Sequence, residues 1–302
     1  MMRRRTLFLI GLAALVPCLV SGQGYVQSIG SGDVNWTSQV VRATGIGAPN
    51  VAMPLPQQRA GALRAAKMDA LRNVLETIKG VALNSETTVE NAIVASDVIK
   101  TKVEGAVRGF RVVDTRYMSS GDVEVDVEVP LTGIIADAVL PSSFGGGSFM
   151  AAGGGAVCPT CGQPWPPGRP VPSNVSSAGG GSLAGDIAGD GVSGLIIDCR
   201  GFSLRPAMAP RIVDESGNEV YGSKFVSREY AVDIGMVGYE KDVNRAAKND
   251  RVTATPMVVK AVQAAGPNRT DVVVSAADAK RIHGAAVNAN FLQHCKVMFV
   301  LD

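Results

Sequence analysis

The sequence predicts an α+β chain of two domains. The first is a strand-helix-(helix)-strand-strand antiparallel module over residues 23–141, and the second a β-rich α+β domain over 192–302. Three observations carry this. An apolar stripe repeats at helical spacing from Arg59 to Gly80, an unbroken two-residue alternation runs from Val123 to Val129, and glycine and proline replace all periodicity between 142 and 191. With 302 residues and 46% apolar content, the chain can supply two ordinary cores.

The first residues read as an export signal. Arg3, Arg4 and Arg5 precede an apolar run from Leu7 to Val20, a basic start followed by a segment too short for a standard membrane span. Cleavage after Gly22 would remove residues 1–22. Leu15-Val16-Pro17-Cys18 also resembles a bacterial lipobox, which makes Cys18 a candidate for lipidation, although proline stands where a small residue is usual. The expected location is the periplasm or the periplasmic face of the outer membrane. A net charge of +2, from 29 basic and 27 acidic residues that are interspersed, leaves no basic stripe for nucleic acid.

Val34 to Gly47 is rich in β-branched residues and reads as a strand running into a turn. Gly45-Ile46-Gly47 lacks the third glycine and following helix of a nucleotide loop, so it is assigned to that turn. Next comes the main helix. Leu63, Ala66, Ala70, Val74 and Ile78 fall on one face with Leu71 and Leu75 beside them, Pro54 and Pro56 bar a much earlier start, and Gly80 can close the helix in the left-handed conformation. Lys67 falls inside the apolar arc, where a buried stem with its ammonium in water accounts for it.

Val81 to Leu83 reads as a short strand. Thr87 and Glu90 form a capping box for a second helical face through Val89, Ala92, Ile93, Val98, Ile99 and Val103 up to Gly105. Phe110 to Met118 and Val123 to Val129 then make a hairpin across Ser119 to Asp122. Its second strand sets Glu124, Asp126 and Glu128 on one face. Arg108, Arg111 and Arg116 are available to offset them, so this row reads as a solvated face and not a cation site.

These residues carry a family resemblance. The order of elements, with Lys67-Met68-Asp69-Ala70-Leu71-Arg72-Asn73-Val74-Leu75-Glu76-Thr77-Ile78-Lys79-Gly80-Val81, Ser96-Asp97-Val98-Ile99 and Gly121-Asp122-Val123-Glu124-Val125, resembles the Lpp-twenty lipoprotein family over roughly residues 36–140. That family includes flagellar assembly lipoproteins. The resemblance implies an outer-membrane-associated, non-enzymatic component, and no catalytic set is carried over.

The stretch 142–191 reads as a Gly/Pro-rich tether that lets the two domains move independently. It contains Cys158-Pro159-Thr160-Cys161. Four cysteines remain beyond the leader, and this pair offers a local disulfide, half of a zinc site or a redox motif; tetrahedral zinc needs two more ligands. In the C-terminal domain, strands are expected at 194–199, in a hairpin of 211–213 with 219–221, in a pair of 257–264 with 271–274, and at 296–301. Helices are expected within 237–248 and at 276–283, an alternation too irregular for a doubly wound parallel sheet. If the first and last strands were antiparallel neighbours, Cys199 and Cys295 could form a disulfide.

The two histidines, His283 and His294, accompany no recognisable nucleophile motif, so neither enzyme activity nor a cofactor is expected. The function read from the sequence is a structural or assembly factor that binds envelope or flagellar proteins and its own copies through exposed sheet edges. Two alternatives stand beside it. One is a periplasmic ligand- or peptidoglycan-binding module using the cleft between domains; the other is a thiol-redox or zinc protein centred on Cys158 and Cys161.

Overall fold

The computed structural model describes residues 24–141, 143–145, 191–253 and 255–302. The tether and its Cys158 and Cys161 lie almost wholly outside the described residues, as does Cys18.

The N-terminal domain is one antiparallel sheet with a long helix across it. The strands β1 (Val26–Ile29), β2 (Gly32–Asn35), β3 (Val40–Gly47), β4 (Arg111–Tyr117) and β5 (Val123–Pro130) are ordered β1-β2-β3-β5-β4. The single strand expected over 34–47 is thus a hairpin, because Trp36 to Gln39 turn the chain and Gln39 takes a positive φ of 55°. Helix α1 (Leu55–Lys79) begins four residues before Arg59. Pro54 is its N-cap and Pro56 sits in the first turn, where a missing N–H costs nothing. Gly80 ends it at φ −73°, not in the left-handed region; a Cβ there would come within 2.5 Å of the Ile29 Cγ2 methyl, which would have to move.

Gly45 and Gly47 stand within β3, not in a turn. A Cβ on Gly45 would lie 2.1 Å from the amide nitrogen of Ala70, and one on Gly47 2.0 Å from the carbonyl oxygen of Ala62. The glycines therefore let the helix backbone rest directly on the strand. The face that does so is Ala62, Ala66 and Ala70, all fully buried, followed by Val74 and Ile78. Leu63, Leu71 and Leu75 flank it half-buried, and so does Lys67.

The second helical face splits into α2 (Val89–Ala95) and α3 (Asp97–Arg108). Thr88, and not Thr87, caps α2 by accepting from the Asn91 amide, while Ser96 breaks the run in an extended conformation and caps α3. Thr87 instead closes a small loop on the Asn84 side chain. A short helix α4 (Ile134–Val139) completes the domain.

The C-terminal domain holds two four-stranded sheets. Strands β6 (Gly194–Asp198), β9 (Gly238–Glu240), β10 (Pro256–Lys260) and β13 (Val297–Val300) form the order β10-β6-β13-β9, and every pairing is parallel. Strands β7 (Ile212–Asp214), β8 (Glu219–Tyr221), β11 (Gln263–Ala265) and β12 (Asp271–Val274) form the mixed sheet β11-β12-β7-β8. Helices α5 (Arg228–Ile234), α6 (Val243–Ala247) and α7 (Ala276–Ala289) pack around them. The expected pair of 257–264 with 271–274 divides at Ala261: β11 does pair with β12, but β10 joins the other sheet.

A wholly parallel sheet must be covered on both faces. Ile196, Met298 and Val300 pack with Ala246 and Val252 in a small cluster on one side, while Leu195, Ile197, Val297 and Phe299 on the other join the main core. That core continues into the N-terminal domain through Tyr239, Trp36, Ala136 and Val139. The expectation of independent domains is therefore corrected: among the described residues, one hydrophobic core runs through both.

Candidate functional site

Three regions carry the residues on which a function could rest: the seam between the domains, the outer face of the N-terminal sheet and the buried cysteines. The seam is built on aromatic residues. Trp36 meets Tyr239 edge-on with centroids 5.4 Å apart, and Tyr239 meets Phe299 at 5.9 Å. The Tyr239 hydroxyl donates to the Ala207 carbonyl at 2.8 Å and accepts from the Ala207 amide at 3.0 Å, so no buried polar atom of that ring is wasted. Burial pushes its phenol far above the ordinary value.

Backbone groups also cross the seam. The amides of Met208 and Ala209 donate to the carbonyls of Ala82 and Leu83 at 3.0 and 2.7 Å, in the segment expected as a short strand. Nearby, the Arg211 guanidinium bridges Ser85 and Asp271, and the Asn268 amide donates to the Ser85 carbonyl. On the other flank, Thr37 donates to the Tyr239 carbonyl and Gln39 to that of Val237, so the β2–β3 turn covers the edge strand β9. Arg228 donates to Asp137 and to the Pro141 carbonyl, and the Gly133 amide to Val232. The space left between Trp36, Leu140, Ala207 and Val237 is only about 20 Å³, room for roughly one water. The space behind Trp36 is thus too small for an interdomain ligand, and the larger openings lie at the rim of the seam, one of about 710 Å³ between Asp137 and Tyr230.

The outer face of the N-terminal sheet carries a ladder of charges. Arg116 reaches Glu124 at 3.0 Å, Asp126 at 2.6 Å and Asp114 at 3.0 Å, while Glu128 is held between Arg42 and Arg111, both at 2.7 Å. Arg116 holds the Asp126 carboxyl below its usual range, with Thr44 contributing a further bond. Every acid of the row is neutralised by a neighbouring strand, as expected for a solvated face; Arg42 takes the part read for Arg108, which ends α3 instead. Among the described residues, no group of histidines, cysteines and carboxylates could hold a metal ion.

Strand β4 is one edge of this sheet, opposite β1. It is exposed on both faces, with a register shift between Val112 and Asp114, and leaves Val113 and Tyr117 in solvent at 46% and 61% exposure. Such a bulged, arginine-bearing edge resists indiscriminate pairing while still presenting unpaired backbone groups.

Cys199 and Cys295 are both buried and free. The expected disulfide is corrected, because β6 and β13 are neighbours but parallel. Val297 pairs with Leu195 and Val300 with Asp198, which puts Cys199 beyond one end of the pair and Cys295 before the other. About six strand residues, near 20 Å, separate their levels, far beyond the ~7 Å limit between Cα atoms of a disulfide. Burial pushes the Cys295 thiol up to about 12 and the Cys199 thiol higher still, so neither is an available thiolate. His294 lies against Tyr230 with centroids 4.5 Å apart and planes tilted by 38°, while His283 is buried with its Nε2 2.8 Å from the Val220 carbonyl. The chain does not bring the two together into one constellation.

Comparison with known families divides the chain as the fold does. Residues 17–130 match the model of the LPP20 lipoprotein family. The N-terminal domain is thus similar to LPP20 lipoproteins. The match begins beside Cys18 and ends on the last residue of β5, so the LPP20 pattern covers the leader's cysteine, the α1 helix and the whole five-stranded sheet. Residues 194–302 match a model described as the second domain of Treponema pallidum Tp0624, and this span is the C-terminal domain from the first residue of β6 onward. No curated protein matches the chain. A lipoprotein-family match agrees with the export leader and with an envelope protein. Among the described residues no helix is long and apolar enough to cross a membrane.

Proposed function

We propose that the chain is an exported, non-enzymatic envelope lipoprotein, attached through Cys18 to the periplasmic face of the outer membrane, that acts as a structural or assembly factor for flagellar or other envelope machinery. The observation that carries this reading is the fused seam. Two domains locked by a shared core, with the space behind Trp36 nearly filled, present their surfaces and sheet edges to a partner as one body. The LPP20 match and the leader support the location. Edge strand β4, with its exposed Val113 and Tyr117, supplies a surface for a partner strand or for a second copy.

The deciding experiment combines envelope fractionation with motility of a deletion strain. The expected result is outer-membrane recovery of the native protein, release to the soluble periplasm on Cys18→Ser, and loss of motility on deletion. A deletion strain that swims normally while the native protein is soluble would overturn both the anchoring and the flagellar parts.

A further inference from the structure

A groove of about 580 Å³ opens beside the seam, where the β2–β3 turn meets the amino-terminal ends of the parallel strands. This is distinct from the filled space behind Trp36. Its volume falls in the range of roughly 300–1,000 Å³ usual for small-molecule sites.

Arg251 lines this groove in an unusual state. Its Nη1 donates to the carbonyls of Gly235 and Cys295, both at 2.9 Å, and its Nη2 to that of Ile234. All three acceptors are backbone carbonyls, and no carboxylate is among the charges acting on the guanidinium, which burial holds below its usual pKa. A desolvated cation without a counter-anion is costly, and the fork keeps N–H groups unspent. Gly238 confines it, since a Cβ there would lie 2.9 Å from Nε. Lys296 adds a second positive charge to the same wall, whereas Asp233 and Asp250 line the groove with negative charge; among the described residues none of these three has an ion-pair partner. The rings of Tyr230 and His294, in contact at 4.5 Å and tilted by 38°, supply an aromatic wall beside them.

Separated charges of both signs beside an aromatic surface match a molecule that carries both charges itself. We propose that this groove binds a short zwitterionic peptide, its carboxylate on Arg251 and Lys296 and its ammonium toward Asp233 and Asp250. A bidentate carboxylate would give Arg251 the anion it lacks. The site stands apart from the assembly reading, because neither membrane anchoring nor strand β4 enters into it.

The test is calorimetric titration of the full mature chain with trialanine, with its C-terminal amide and with its N-acetyl form. Trialanine is expected to bind, and each blocked peptide to bind about tenfold or more weakly, the loss typical of a charge-assisted hydrogen bond. Lys296→Gln is the informative variant, because Arg251 also holds three carbonyls in place and its removal would disturb the fold. It should weaken trialanine severalfold at an unchanged melting temperature, leave the amide unaffected, and be rescued by Lys296→Arg. Absence of trialanine binding at millimolar concentration, or equal binding of all three peptides, overturns the proposal. So does a Lys296→Gln protein that binds trialanine as the native chain does.

Discussion

The N-terminal sheet and the parallel sheet of the C-terminal domain solve the same burial problem in opposite ways. In β5, Val123, Val125, Val127 and Val129 are buried while Glu124, Asp126 and Glu128 face water, so one face is dry and the other is paired off in ion bridges. Strand β13 and the central part of β6 are buried on both faces, and so is β12 of the mixed sheet. The difference teaches where each sheet is vulnerable. The first depends on a backbone-to-backbone fit between α1 and β3 on its dry face, and tolerates change on its wet one. The second depends on whatever covers it, which includes the other domain.

The largest effect should come from closing the gap that glycine leaves under α1. Gly47→Val places side-chain atoms where the Ala62 carbonyl already stands, an overpacking that the helix cannot relieve by rotating a side chain. Loss of cooperative unfolding by circular dichroism, or loss of soluble protein, is the expected outcome. A stably folded Gly47→Val protein would show that the helix can lift off the sheet to make room for a side chain.

Next in size is the seam. Trp36→Ala removes the ring that joins Tyr239 to the N-terminal core and should cost about 3–5 kcal/mol. Scanning calorimetry is the sharper measure, since uncoupling the domains should split one transition into two. A single transition that merely moves down would mean that the backbone bonds from Met208 and Ala209 hold the domains together without the aromatic contact.

The wet face should matter least among these regions. Hydrogen bonds from Arg116 depress the Asp126 carboxyl, so its contribution to stability is fully present above its unfolded pKa and is lost as pH falls through the lower folded value. Asp126→Asn should therefore destabilise slightly at neutral pH, and the gap between variant and native protein should close below about pH 4. High salt should shrink it too, because the group is partly exposed. Unfolding midpoints across pH and salt provide the check.

The smallest effect expected is none. With Cys199 and Cys295 at opposite ends of a parallel pair, a reductant should leave the melting temperature of the native chain unchanged. A fall of several degrees would place a stabilising disulfide in residues 142–190, where Cys158 and Cys161 lie.

What the sequence determined by itself was local and periodic. Period-2 alternation fixed both the existence and the wet face of β5, helical spacing fixed α1, and the Ser96-Asp97-Val98-Ile99 motif contained the cap of α3 without marking a break there. The alanines were visible, but their role was not: Ala62, Ala66 and Ala70 matter because Gly45 and Gly47 lie opposite, a relation between distant residues that periodicity does not encode. Only the tertiary structure decided strand direction and order in the C-terminal domain, because strands buried on both faces lose the alternation that reveals a face. For the same reason it alone decided that Cys199 and Cys295 stay apart, that Trp36 belongs to two domains, and that Arg251, unremarkable in a run of polar residues, is a half-buried cation held on three backbone carbonyls beside a groove.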